Sequence, residues 1–148
     1  MSIFPFINTE DNKNTAEELP LLKEYAYDFE NNELLLDKNG CTYMVEKNAA
    51  LRIWIMKALA TERFHYTAYS FAFGTEWQDQ LTGHAMDEEV LKLEMERFIV
   101  EALMVNPYIL RLDNFVFTLS ETGITVSFEC TSIYGIDRLL LPVREVKI

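Results

Sequence analysis

Basic residues are scarce. Thirteen Lys and Arg stand against 24 Asp and Glu, a formal net charge of −11 over 148 residues. Phosphate binding needs clustered Lys and Arg, so nucleic acid is excluded as the main partner. Long apolar runs are absent too, and none approaches the roughly 20 residues that cross a bilayer. The apolar stretch Met1 to Asn8 has no basic region before it and is too short for a signal peptide. Cysteine is limited to Cys41 and Cys130, with no C-x-x-C spacing. Two free thiols in a reducing compartment fit that usage. No Gly-rich phosphate loop, H-E-x-x-H or G-x-S-x-G occurs, so no cofactor is expected. The two histidines, His65 and His84, have no Cys or acidic neighbour at metal-ligand spacing, so no metal is expected.

What the chain does have is core. Hydrophobic residues make up 49% and aromatics 13%, which excludes a wholly disordered chain. The length suits one domain, able to bury roughly 70% of its unfolded surface. Residues 1–18 stand apart from it. Ile3, Phe4, Phe6 and Ile7 form an apolar hook around Pro5, and Asn8 to Glu18 form a polar linker. The hook fits a terminus tucked onto its own domain or an arm docking on a neighbouring subunit. Residues 19–148 read as a single domain.

Periodicity gives its elements. Tyr25, Tyr27 and Phe29 alternate with polar residues, Asn31-Asn32 signals a turn, and Glu33 to Asp37 is a second strand. Asn39-Gly40 suits a tight hairpin leading to a third strand, Cys41 to Glu46. Asn48 can cap a helix over Ala49 to Ala60, where Leu51, Trp54, Ile55, Ala58 and Leu59 follow helical spacing. Ile53 and Met56 add apolar surface on its other flank, so its own sheets or another chain must cover more than one side. Thr61 to Gly74 is aromatic and mostly extended, and Glu76 to Leu81 suits one short helical turn. Asp87-Glu88-Glu89 opens a second helix, its acids at the positive end of the dipole. Leu91, Met95, Phe98, Ala102 and Val105 form its stripe, Glu88 and Lys92 an i, i+4 pair, and Pro107 stops it. Phe115, Phe117 and Leu119, then Ile124, Val126, Phe128 and Cys130, alternate as a hairpin. Leu139 to Ile148, with Pro142, reads as an edge strand, a template for strand addition. The fold class is α+β: a mainly antiparallel sheet with two main helices, an N-terminal β-meander and a C-terminal β-hairpin plus edge strand.

Candidate chemistry is thin. With 24 acids some carboxylate pair is inevitable, so the two-carboxylate requirement of glycoside hydrolysis identifies nothing. Cys130 shares a face with Ile124, Val126 and Phe128, which suits a buried inert thiol. Glu62-Arg63 lies where the apolar helix gives way to the aromatic segment. It fits an exposed helix end or an Arg–carboxylate contact to a partner chain.

Several segments resemble a known family. They are F-P-F-I-N, K-E-Y-A-Y-D-F-E-N-N-E, N-A-A-L-R-I-W-I-M-K-A-L-A-T-E-R-F-H-Y, D-E-E-V-L-K-L-E-M-E-R-F-I-V-E-A-L-M-V-N-P-Y-I and S-I-Y-G. Together they resemble the XkdS-like tail proteins of PBSX-type defective prophages across nearly the whole chain. That group is in turn similar to contractile-tail baseplate wedge proteins, sheath initiators once mislabelled as tail lysozymes. There a helix leads into a Glu-Pro-Arg or Gly-Glu-Arg core motif, followed by an aromatic-Gly turn, a long helix and a C-terminal hairpin. Glu62 and Arg63 match the motif's Glu and Arg. Thr61 replaces the Gly, no Pro separates the pair, and the aromatic-Gly turn aligns with Tyr69-Ser70 or with Phe73-Gly74.

The resemblance implies a non-enzymatic wedge component and sheath initiator, ringed around the tail tube. It would be assembled in the bacterial cytoplasm, for an infectious phage, a bacteriocin or another injection machine. Its implied partners are other wedge proteins, the tail sheath and the tail tube. Candidate partner-binding residues are Glu62 and Arg63, Trp54 on the apolar helix, and Leu139, Leu141 and Val143 on the edge strand. Competing readings are a peptidoglycan hydrolase and an anti-adapter-like regulatory binder. Removing Leu139 to Ile148 is expected to leave the domain folded but block sheath assembly. Charge reversal at Arg63 is expected to weaken wedge incorporation more than it lowers the melting temperature.

Overall fold

The computed structural model describes residues 19–61, 63, 68, 70, 73–76, 87–120 and 123–143. The N-terminal hook and linker, Glu62, both histidines, most of the aromatic segment, the turn expected after Glu76 and the last five residues lie outside them.

The N-terminal meander forms a small corner. The first strand divides between two partners: β1 (Lys23–Tyr25) pairs antiparallel with β4 (Met44–Glu46), and β2 (Tyr27–Asp28) with β3 (Glu33–Leu34). A bridge between Leu36 and Thr42 closes it. Both expected turns form. Asn32 and Gly40 take positive φ, 55° and 79°, and the Asp28 and Asp37 carboxylates accept backbone N–H groups inside each turn.

The chain passes from β4 into α1 (Lys47–Ala60) in one residue, Lys47, at φ 58°. Asn48 is not the cap. It sits in the first turn, and its Oδ1 accepts a 2.7 Å bond from the Ser132 hydroxyl. Six residues of α1 are buried, spread around its circumference: Ala50, Leu51, Ile53, Ile55, Ala58 and Leu59. The protein's own elements cover them. α1 lies against the meander on one side and against the second helix and the C-terminal sheet on the other. Ion pairs fasten both flanks, Lys57 to Glu24 at 2.9 Å and Arg52 to Asp137 at 2.6 Å.

The second helix, α2 (Glu88–Leu103), is the stripe read from the sequence, with Leu91, Met95, Phe98, Ile99, Ala102 and Leu103 buried. The expected Lys92–Glu88 pair forms at 2.6 Å. The helix ends sooner than Pro107 requires. Met104 closes it, and Val105, expected on the stripe, is exposed. The buried Asn106 side chain accepts the Tyr108 N–H and turns the chain into the sheet.

The C-terminal sheet has the order β5 (Ile109–Ser120), β6 (Gly123–Ser132), β7 (Gly135–Val143), all antiparallel. Ile124, Val126, Phe128 and Cys130 of the central strand fill the core under both helices. The S-I-Y-G segment makes the β6–β7 turn. Gly135 has φ 121°, Ser132 bonds back to α1, and the Tyr134 hydroxyl accepts the Leu22 N–H. Gly135 therefore opens the last strand, four residues before the expected Leu139. No helix among the described residues is long and apolar enough to cross a membrane.

Candidate partner interface

Two features could meet a partner: the motif after α1 and the free edge of β7. In the motif, the chain leaves α1 at Thr61 and pairs with the segment around Gly74. Thr75 N–H donates to the Thr61 carbonyl and Arg63 N–H to the Thr75 carbonyl, both at 2.9 Å. Phe73-Gly74, one of the two expected alignments of the aromatic-Gly turn, thus lies beside Thr61 and Arg63, whereas Tyr69 of the other is outside the described residues. Gly74 has φ 102°, and a Cβ there would stand 2.7 Å from the Thr61 carbonyl oxygen. The position therefore requires glycine.

Arg63 is turned inward. Its side chain is 12% exposed, with Nη1 3.3 Å from Glu101 on α2 and Nη2 donating to the Gly74 carbonyl. It joins helix and turn within the chain. Trp54 is half-buried and meets the Phe73 ring edge-on, with centroids 5.8 Å apart. It too is occupied by the motif loop. Glu62 is outside the described residues.

In the sheet, β6 is flanked on both sides, so among the described residues β5 and β7 are the edges. They differ. β5 has register shifts between Ile109 and Arg111 and between Asp113 and Val116, with Asn114 at φ 55°. Such bulges disturb the unpaired row of an edge strand and discourage strand addition. β7 pairs with β6 in unbroken register from Gly135 to Val143. Leu139 is 3% exposed and stands opposite Phe128, so its side chain belongs to the core. Leu141 and Val143 stand opposite Val126 and Ile124 in the register. On the outward face of β7, Ile136 and Leu140, 67% and 68% exposed, flank the exposed Arg138, and none of the three was expected from the sequence as a contact.

The cysteines behave as expected of free thiols. Cys41 is exposed, while burial, assisted by the Asp137 carboxylate, pushes the Cys130 thiol up to about 11. A thiolate nucleophile at Cys130 is thereby disfavoured near neutrality. A chromogenic disulfide reagent at pH 8 should titrate one thiol per native chain and a second only after unfolding. Two fast thiols in the native protein would contradict this burial.

A sheet with one regular edge that no described residue pairs, carried on a core that its own helices already fill, suits a protein that assembles with others. The model of the contractile injection system sheath initiator family matches residues 23–135, from β1 to the start of β7. The "Phage-like element PBSX protein XkdS" of Bacillus subtilis (strain 168) is 30% identical over 146 residues, covering 99% of this chain and 96% of that protein. The chain belongs to the sheath initiator family and is an XkdS-like prophage tail protein. Its role is that of a structural component of a contractile tail, and its partners are other tail and sheath components.

Proposed function

We propose that this chain is a wedge component of a contractile-tail baseplate and starts the sheath by lending the free edge of β7 to the first sheath subunits. One observation carries the reading: of the two sheet edges, only β7 is regular along its whole paired length. Main-chain hydrogen bonds along such an edge supply affinity without a deep pocket. Leu139, Leu141 and Val143 lie along that strand, in register with Phe128, Val126 and Ile124.

The Arg63–Gly74 turn has a different place in the reading. It lies at the far end of α1 from the β6–β7 turn and shapes the surface that meets other wedge proteins. Arg63 acts there by holding the turn, and Trp54 packs against the same turn through Phe73; Glu62, next to Arg63 in sequence, is proposed as a contact on the motif alone. Assembly takes place in the bacterial cytoplasm, around the tail tube.

The test is assembly of tails on variant chains, scored for sheathed particles. Ile136→Lys and Leu140→Lys together place charges on the edge strand at exposed positions, so little stability should be lost. Sheath formation should fall while the chain still enters the particle. Wild-type sheathing on this double variant would contradict the edge role. The protein is proposed to have no enzymatic activity, so a clean preparation should leave purified cell wall intact.

A further inference from the structure

Between the meander and the first turns of α1 lies a groove of about 470 Å³. Tyr27, Leu35, Tyr43 and Val45 of the meander line it together with Ala49 and Ile53 of α1. Its volume is that of about 15 water molecules at roughly 30 Å³ each, enough for more than one large side chain. Leu35 and Tyr43 stay more than a third exposed there, an apolar surface with no cover among the described residues. The charged side chains of the lining are Arg52 and Asp137, and they pair with each other at 2.6 Å. A charged side chain entering the groove would lose water without gaining a partner. The lining therefore selects an occupant that is apolar and uncharged.

The chain carries a segment of that character. Ile3, Phe4, Phe6 and Ile7 are apolar, and Met1 to Asn8 includes no charged side chain. Pro5 disfavours helix at Phe4, and in an extended chain Phe4 and Phe6 share one side. The acids that precede the domain, Glu10, Asp11, Glu17 and Glu18, belong to the tether and not to the hook. The tether also starts close to the groove. The Pro20 carbonyl accepts the Tyr108 hydroxyl, the Leu22 N–H donates to the Tyr134 hydroxyl, and the Leu22 carbonyl accepts the Lys47 N–H. The domain thus begins beside the first turn of α1, the turn that brings Asn48 and Ala49 to the groove. The residues from Asn8 to Glu18 reach at most about 40 Å when extended. The 14-residue α1 is only about 21 Å long, so the hook reaches any part of the groove. A segment so tethered acts at an effective concentration on the order of millimolar, which favours it over a separate chain.

We infer that Met1 to Asn8 folds back onto its own domain and fills this groove with Phe4 and Phe6, beside the Arg52–Asp137 pair. The contact uses the face of β7 that Asp137 shares with the core and none of that strand's backbone. It stands whether or not β7 receives a sheath strand.

The experiment uses the purified full chain, with Tyr43 replaced by a photo-crosslinking aromatic residue and no other tail protein present. Tyr43 is 40% exposed, so the replacement should leave the fold intact. The expected product joins position 43 to Met1–Asn8 at the mass of one chain. Phe4→Ser with Phe6→Ser should lower its yield by about tenfold or more, the effect of losing two apolar anchors. A yield that the two serines leave unchanged overturns the inference. So does a product at the mass of two chains, or one that lacks the hook. Should the replacement at position 43 disturb the fold, the same residue in place of Leu35, 38% exposed, decides instead. A chain that begins at Asn8 gives an independent reading. Its amide hydrogens from Glu33 to Glu46 should exchange about tenfold faster than in the full chain, and equal rates would overturn the contact.

Discussion

A chain truncated after Leu140 should fold, enter the tail and fail to start a sheath. The cut removes three register pairs, Leu141 with Val126, Pro142 with Thr125 and Val143 with Ile124. Their backbone bonds contribute on the order of 1–3 kcal/mol in total. For a chain of this length that loss lowers the melting temperature by about 3–10 °C. Leu139 stays in place over the core. Deleting from Leu139 is a different experiment. Leu139 is 3% exposed against Phe128, so its loss opens the core at an additional cost of about 2–5 kcal/mol. The simpler expectation, that the whole segment from Leu139 is dispensable for folding, does not survive this burial. The shorter truncation separates assembly from stability. Electron micrographs of tails built on it should show bare tubes, and a normal count of sheathed tails would count against β7 as the docking strand.

The second large effect is expected at the Arg63–Gly74 turn. Gly74→Val forces a β-branched residue to φ 102° and drives its Cβ against the Thr61 carbonyl. Strain of this kind costs about 1–3 kcal/mol, and relief of the clash breaks the short ladder between Thr61, Arg63 and Thr75 as well. Arg63→Glu attacks the same turn from the other side. It removes the donor to the Gly74 carbonyl and sets a carboxylate beside Glu101. Glu101 is 45% exposed, so solvent screens part of the repulsion. A loss of about 2–3 kcal/mol follows, mainly from the inward-turned hydrogen bond. Both variants should melt about 5–12 °C lower by circular dichroism. Charge reversal at Arg63 thus acts first on stability, because the guanidinium is spent within the chain. An Arg63→Glu protein that melts with the wild type but is excluded from tails would instead make Arg63 a direct partner contact.

The core was legible because it is periodic. The α2 stripe and the alternation of Ile124, Val126, Phe128 and Cys130 each follow from spacing along one element, and all but Val105, past the helix end, are buried. The apolar circumference of α1 was legible too, although not what covers it. The meander and the C-terminal sheet meet the helix from opposite sides, and no local pattern records that. Asn48 looked like a cap because caps are read locally. Its partner, Ser132, is 84 positions away. The edge strand was expected from Leu139 but begins at Gly135, and its faces were misplaced. Its start is set by the tight Ser132–Gly135 turn, and a strand's outward residues depend wholly on register. Ile136 and Leu140 consequently face out while Leu139 faces in. That Gly74 lies beside Thr61 and Arg63 was not legible either, because the backbone bonds there join residues more than ten positions apart. The groove beside β7 had no local signature, since its walls come from residues between Ala26 and Asp137.

The most direct test of the central claim is a map of the assembled tail at the first sheath ring, resolved well enough to trace strands. A sheath strand should lie about 4.8 Å from β7, hydrogen-bonded to it as the fourth strand of the β5–β6–β7 sheet. A bare β7 edge, with the first sheath subunits seated on another face of the protein, would contradict the account.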